Sequence, residues 1–154
     1  MREHYIAGTD DKDSKKLDQR RRVLRYISLF KRFGYGPSVI NDAETIWKMI
    51  HRDDQAMSWA LFQEIVNDLR DRNILQGVNT LHITPKLLQI KLWTDWWNIH
   101  GEGFSFDEFL ALPDSLYEGS FDMFECAPAS ETATRFVKDL LGEQGPFQQD
   151  KQYL

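Results

Sequence analysis

The chain has one cysteine in 154 residues, Cys126, so no disulfide framework can hold it together. It also lacks any apolar run near the roughly 20 residues needed to cross a bilayer, and its mean hydropathy is negative. Its first ten residues carry charge and glycine but no apolar signal core. These absences point to a reducing compartment, with the cytoplasm as the expected location. Neither phosphate-binding glycine pattern, G-x-x-x-x-G-K-[ST] or G-x-G-x-x-G, occurs. The four histidines, His4, His51, His82 and His100, stand far apart, with no cysteine or carboxylate at ligand spacing. The sequence therefore leads us to expect no catalytic residue, no metal site, no cofactor and no enzymatic activity. Cys126, in Phe-Glu-Cys-Ala, has no nearby base or positive field and reads as a packed small residue.

What is present is a hydrophobic content of 42%, enough for a core, and a charge distribution that the net value of -5 conceals. Between Lys15 and Arg32 lie eight basic residues against Asp18 alone, whereas Gly101 to Asp150 carries eleven acidic residues against Arg135 and Lys138. A basic front and an acidic back can neutralise each other, or each can face its own partner.

The hydrophobic pattern is mainly helical. An N-terminal arm or linker is expected over residues 1–15, followed by a long helix from Lys16 to Phe33 carrying Val23, Leu24, Ile27 and Phe30 on one face. Asn41 with Glu44 reads as the next N-terminal cap, ahead of Ile46, Trp47 and Ile50. Ser58 caps a third helix whose stripe is Trp59, Phe62, Ile65, Val66 and Leu69. Ile74–Gln76, Gly77-Val78-Asn79 and Thr80–Thr84 then form a tight β-hairpin, with Leu81 and Ile83 inward. Three helices followed by a short hairpin are the order of a winged helix-turn-helix, which the pattern places over residues 16–86.

Residues 87–154 are expected to form a helical extension. Thr84 caps a helix with Pro85 at its first position, and Leu87, Leu88, Ile90, Leu92, Trp93, Trp96, Trp97 and Ile99 cover most of its circumference. A helix apolar nearly all round must be packed on more than one side. Trp93, Trp96 and Trp97 could stack on bases or a partner, but the leucines and isoleucines between them favour core. Ser105–Glu108 and Ser115–Glu118 read as capping boxes, and Ala133 to Leu141 as an amphipathic helix closed by Gly142. Short amphipathic helices in succession resemble the start of a helical-repeat region.

A winged helix raises the question of DNA. Its third helix would enter the major groove, yet off the apolar stripe that helix offers Glu64, Asp68 and Asp71 against Arg70 and Arg72. The hairpin tip carries no positive charge. DNA binding is disfavoured on this ground, and the candidate contacts to a protein or nucleic acid are Arg20, Arg21, Arg22, Arg25, Arg70 and Arg72.

Several phrases carry a family resemblance: Arg22-Val23-Leu24 through Ser28-Leu29-Phe30-Lys31-Arg32-Phe33-Gly34-Tyr35, Arg72-Asn73-Ile74-Leu75-Gln76, and Leu81-His82-Ile83-Thr84-Pro85 through Leu92-Trp93 to Trp96-Trp97. Together they resemble the region that follows the nucleotide-binding domain in STAND-type P-loop NTPases, signalling switches in which a winged helix joins the ATPase to a helical-repeat sensor. The resemblance implies a non-catalytic, regulatory module whose partners are the NTPase domain and helical-repeat region of a larger chain, or another subunit, and no membrane. The Walker elements of that family are absent, so the resemblance implies a fragment of such a protein and carries no hydrolysis with it. A small winged-helix transcriptional regulator is the alternative.

Overall fold

The structure is a computed structural model describing residues 11–142, with side chains described from Ser14 onward. The expected arm before Asp11 and the segment after Gly142 lie outside the described residues. The architecture is mainly helical, with a small three-stranded antiparallel sheet.

Helix α1 spans Asp11–Ile27 and buries Val23, Leu24, Tyr26 and Ile27. It therefore starts inside the expected arm and stops six residues short of the expected end at Phe33. The reason lies in the turn that follows. The Leu29 and Phe30 amides donate to carbonyls three residues back, which tightens the chain out of α geometry. The Ser28 hydroxyl donates to the Arg25 carbonyl, and the Lys31 amide turns away to the carbonyl of Gly119, far along the chain. Phe30 and Phe33 keep the burial their hydrophobicity demands, but as turn and strand rather than helix.

Strand β1 is only Phe33–Gly34. After a short 3₁₀ turn at Pro37–Val39, helix α2 spans Ile40–Asp53 and α3 spans Trp59–Asp71. Asn41 is not the cap of α2. That place falls to Val39, which makes no side-chain cap bond, because Pro37 has already begun the turn. Ser58 does cap α3, its hydroxyl accepting from the Leu61 amide at 3.1 Å. Phe62, Ile65, Val66 and Leu69 are buried as one stripe.

Strands β2 (Leu75–Gly77) and β3 (Thr80–Ile83) form the expected hairpin, with Leu81 and Ile83 buried and Thr80 and His82 exposed. Gly77 has φ of 129°, and a Cβ there would lie 1.9 Å from the Thr80 carbonyl oxygen, so only glycine fits this turn. The sheet order is β1-β3-β2, with Phe33 opposite Leu81 and Gly34 opposite Thr80. The Asn79 carbonyl accepts from both the Tyr35 and Gly36 amides, tying the hairpin loop to the chain after β1.

Helix α4 spans Lys86–His100, with Pro85 at the cap rather than inside the first turn. Thr84 is occupied elsewhere, its hydroxyl donating to the Asn73 carbonyl at 2.9 Å. Helix α5 is Phe106–Leu110, α6 is Asp114–Met123, and α7 is Glu131–Leu141 after a 3₁₀ stretch at Phe124–Ala129. Ser105 caps α5 through the Glu108 amide, and Ser130 caps α7 through the Ala133 amide. Ser115 is no cap. Helix α6 begins before it, and its hydroxyl serves Asp42 instead.

Helix α4 packs against α1 and β3 on one side and α7 on another, as the abundance of apolar side chains requires. Its coverage is incomplete, however: Leu87 is 79% exposed and Ile99 56%. The buried strip is Leu92, Trp93, Trp96 and Trp97, each worth about 1.5–3 kcal/mol or more when removed from water. Tyr26 meets Trp96 edge-on at 5.9 Å between ring centroids, and Phe136 of α7 meets Trp97 at 5.0 Å. The tryptophans are thus core, continuous from α1 to α7.

Three polar links cross the same junction. The buried Gln89 side chain donates to the Phe30 carbonyl at 2.9 Å, capturing an acceptor freed where α1 breaks. The Lys31 amide bonds Gly119 at 3.1 Å. The buried Asp42 carboxylate accepts from the Gly34 amide at 2.8 Å and from the Ser115 hydroxyl at 2.6 Å, joining α2, β1 and α6.

Candidate functional site

The basic side of α1 is laid across the surface of its own neighbours. Spacing along α1 turns Arg20 toward α3, where its guanidinium lies 2.9 Å from Asp68; Arg72, four residues after Asp68, reaches the same carboxylate at 3.0 Å. Arg22 bonds Asp54, just past the end of α2, at 2.7 Å. Arg70 lies over the Tyr35 ring at 5.9 Å, a cation–π contact that also holds the tyrosine against α3, where its hydroxyl is 3.3 Å from Asn67. Arg21 is exposed, and Arg25 is half-buried with its Nε enclosed and without a hydrogen-bond partner among the described residues. The six arginines do not converge on one site. Arg20 and Arg72 share one acid, Arg22 and Arg25 both lie near enough to His100 to act on it, and Arg70 lies over Tyr35.

These pairs are partly exposed to solvent, so each contributes little to stability, on the order of 0–1 kcal/mol. Their electrostatic consequence is larger. A phosphate approaching α3 meets Asp68 already shared by two guanidinium groups, flanked by Glu64 and Asp71, which form no ion pair among the described residues. Between α1 and α3 lies an open groove of about 750 Å³, floored by Leu61 and Ile65 and edged by Lys16, Arg20, Glu64 and Asp71. Its mixed charge suits a protein surface better than a polyanion.

A second cluster, not singled out by the sequence, forms where α1, α2, α4 and the approach to α5 meet. The Tyr26 hydroxyl donates to the Asp53 carboxylate in a short hydrogen bond. Burial, then the Asp53 bond, pushes the Tyr26 phenol far above its ordinary range, so it stays protonated. His100 packs its ring against Tyr26 at 5.3 Å and Trp96 at 5.7 Å. Burial pulls its pKa below the usual histidine value, with Asp53 opposing and Arg22 and Arg25 reinforcing the shift. Arg52 reaches Glu108 of α5 at 3.2 Å across the opening. Only the fold brings these together: the residues span positions 26 to 108, and no local spacing announces them.

Cys126 is half-buried and its thiol pKa is raised, first by burial and then by Glu125. His51 sits in the last turn of α2 with its Nδ1 3.0 Å from the Met57 carbonyl, and His82 is exposed on β3. Among the described residues no group of three or more His, Cys, Asp or Glu side chains is placed to hold a metal ion, and no helix is long and apolar enough to cross a membrane. No protein-family model, curated protein or solved structure matches the chain.

Proposed function

We propose that this chain is a non-catalytic winged-helix and helical module that works by protein contact, as a regulatory part of an NTPase signalling switch. The order α1, β1, α2, α3, β2, β3, with the hairpin following the third helix, supports the winged-helix part of this reading. The observation that carries the contact reading is charge pairing. Arg20 and Arg72 are spent on Asp68 and Arg22 on Asp54, so the helix that would read a groove presents carboxylates. The NTPase part rests on the sequence resemblance, and the continuous core between the winged helix and the helices after it supports a rigid coupling element.

Small winged-helix regulators of transcription are the second reading, favoured by Lys15, Lys16 and Arg21, which are exposed on α1 and form no ion pair among the described residues. Anisotropy of a labelled duplex across salt decides between them, with ATP hydrolysis followed in parallel. The expected result is no hydrolysis and no binding beyond weak attraction that vanishes as salt rises. Micromolar or tighter binding at physiological salt, with a slope counting several neutralised phosphates, would establish the regulator instead. Sustained hydrolysis by protein cleared of contaminants would overturn the non-catalytic assignment.

A further inference from the structure

The groove between α1 and α3 holds its charges in two separate lines. It runs along α3 from Ala60 to Asp71, with a turn of α1 as its other wall. Lys16 and Arg20 stand four residues apart on α1, so that wall carries two positive charges on one helical face. Glu64, Asp68 and Asp71 recur at intervals of four and three on α3, so the facing wall is a line of carboxylates. The floor between the walls is apolar, with Leu61 half-buried and Ile65 7% exposed.

Within one chain only the middle of this arrangement is paired. Arg20 and Asp68 meet across the groove at 2.9 Å, and Arg72 shares Asp68. Lys16, Glu64 and Asp71 are exposed and form no ion pair among the described residues. An occupant that answers these groups is negative opposite α1, positive opposite α3 and apolar between. A second copy of the same groove meets all three conditions. A two-fold axis parallel to the groove lays the α1 wall of each copy over the α3 wall of the other, so Lys16 meets carboxylates twice. An axis across the groove would set like walls over one another and is opposed by repulsion. In the parallel arrangement the Arg20–Asp68 pairs of the two copies lie one over the other with opposite ends facing. A nucleic acid, in contrast, answers only the α1 wall and is repelled by the other.

We propose that the chain forms a two-fold dimer through this groove, α1 of each copy against α3 of the other. The dimer is independent of the NTPase reading, and neither the DNA titration nor the hydrolysis assay bears on it. Because the surface is small and largely polar, the association is weak, with a Kd on the order of 0.1 mM.

Sedimentation equilibrium of the full chain at low salt, up to about 1 mM, tests it. A monomer–dimer equilibrium is expected, weakened about tenfold or more in roughly 0.5 M salt, which screens the facing walls. Lys16→Glu alone, and Glu64→Lys/Asp71→Lys alone, should each weaken self-association by about tenfold or more, because each sets like charges face to face. Mixing these two variants should restore association as a heterodimer, since an acidic α1 wall then meets a basic α3 wall and the other contact is unchanged. Misfolded protein could not give that recovery. A chain that stays monomeric up to about 1 mM at low salt overturns the proposal. So does self-association that neither variant weakens, or a mixture that recovers nothing. Growth beyond the dimer with concentration overturns it as well, because a two-fold contact closes on itself.

Discussion

Replacing Asp42 by alanine removes a carboxylate that is 7% exposed and that accepts from the Gly34 amide at 2.8 Å and the Ser115 hydroxyl at 2.6 Å. The two donors are not equivalent once the acceptor is gone. Gly34 is buried, so its amide loses a charge-assisted bond and keeps its desolvation cost, a loss of about 2–3 kcal/mol. Ser115 is exposed, and its hydroxyl can turn to water, so its share is about 1 kcal/mol or less. The expected destabilisation of Asp42→Ala is therefore about 3 kcal/mol. That is a large part of the roughly 5–15 kcal/mol that holds a domain of this size. Urea unfolding followed by tryptophan fluorescence measures it, and the urea slope should stay unchanged because the same surface is exposed on unfolding. Ser115→Ala alone should cost about 1 kcal/mol, and the double variant Asp42→Ala/Ser115→Ala little more than Asp42→Ala alone. A loss below about 0.5 kcal/mol for Asp42→Ala would refute the assignment of Asp42 as the link between β1, α2 and α6.

Three further outcomes are expected from the same structure. Burial lowers the pKa of His100 in the folded state, so as pH falls from 7 the unfolded chain takes up its proton first and stability drops until the folded pKa is passed; His100→Gln should flatten stability between about pH 7 and pH 5, and an unchanged pH dependence would show that the ring is not desolvated. Because burial and then Glu125 raise the Cys126 thiol, iodoacetamide at pH 7.5 should modify it more slowly than a free cysteine peptide, with the rate equalising in denaturant; equal rates in native buffer would contradict its packing. Gly77→Ala would drive a Cβ to 1.9 Å from the Thr80 carbonyl at a φ of 129°, so a loss of about 1–3 kcal/mol is expected by thermal unfolding, and neutrality would mean that the hairpin turn adopts another form.

Side chains whose roles depend on near neighbours were legible in the sequence. Ser58 and Ser105 each sit three residues before the amide they cap, and a helix start needs nothing from elsewhere. Alternation placed Leu81 and Ile83 inward, because a strand's faces have a period of two whatever it pairs with. The stripe of α3 and the buried tryptophans of α4 were readable for the same reason, a period of 3.6.

Where a group had a choice of partners, tertiary structure decided. Ser115 and Glu118 have the spacing of a capping box, but Asp42, seventy-three positions away, offers the Ser115 hydroxyl a buried charge, and the helix begins without it. Phe30 and Phe33 continue the helical spacing of α1, yet Gly119 and Gln89 take up the backbone groups at Lys31 and Phe30 and turn the chain out of the helix. Strand β1 has two residues and exists only because β3 is beside it. The arginines of α1 were visible as a basic run, but whether they stood free or paired depended on Asp54 and Asp68, which folding alone brings within 3 Å. Composition and period determine which surfaces must be buried, since those follow from local geometry. Which polar group answers which is a contest among distant partners, and only the assembled chain settles it.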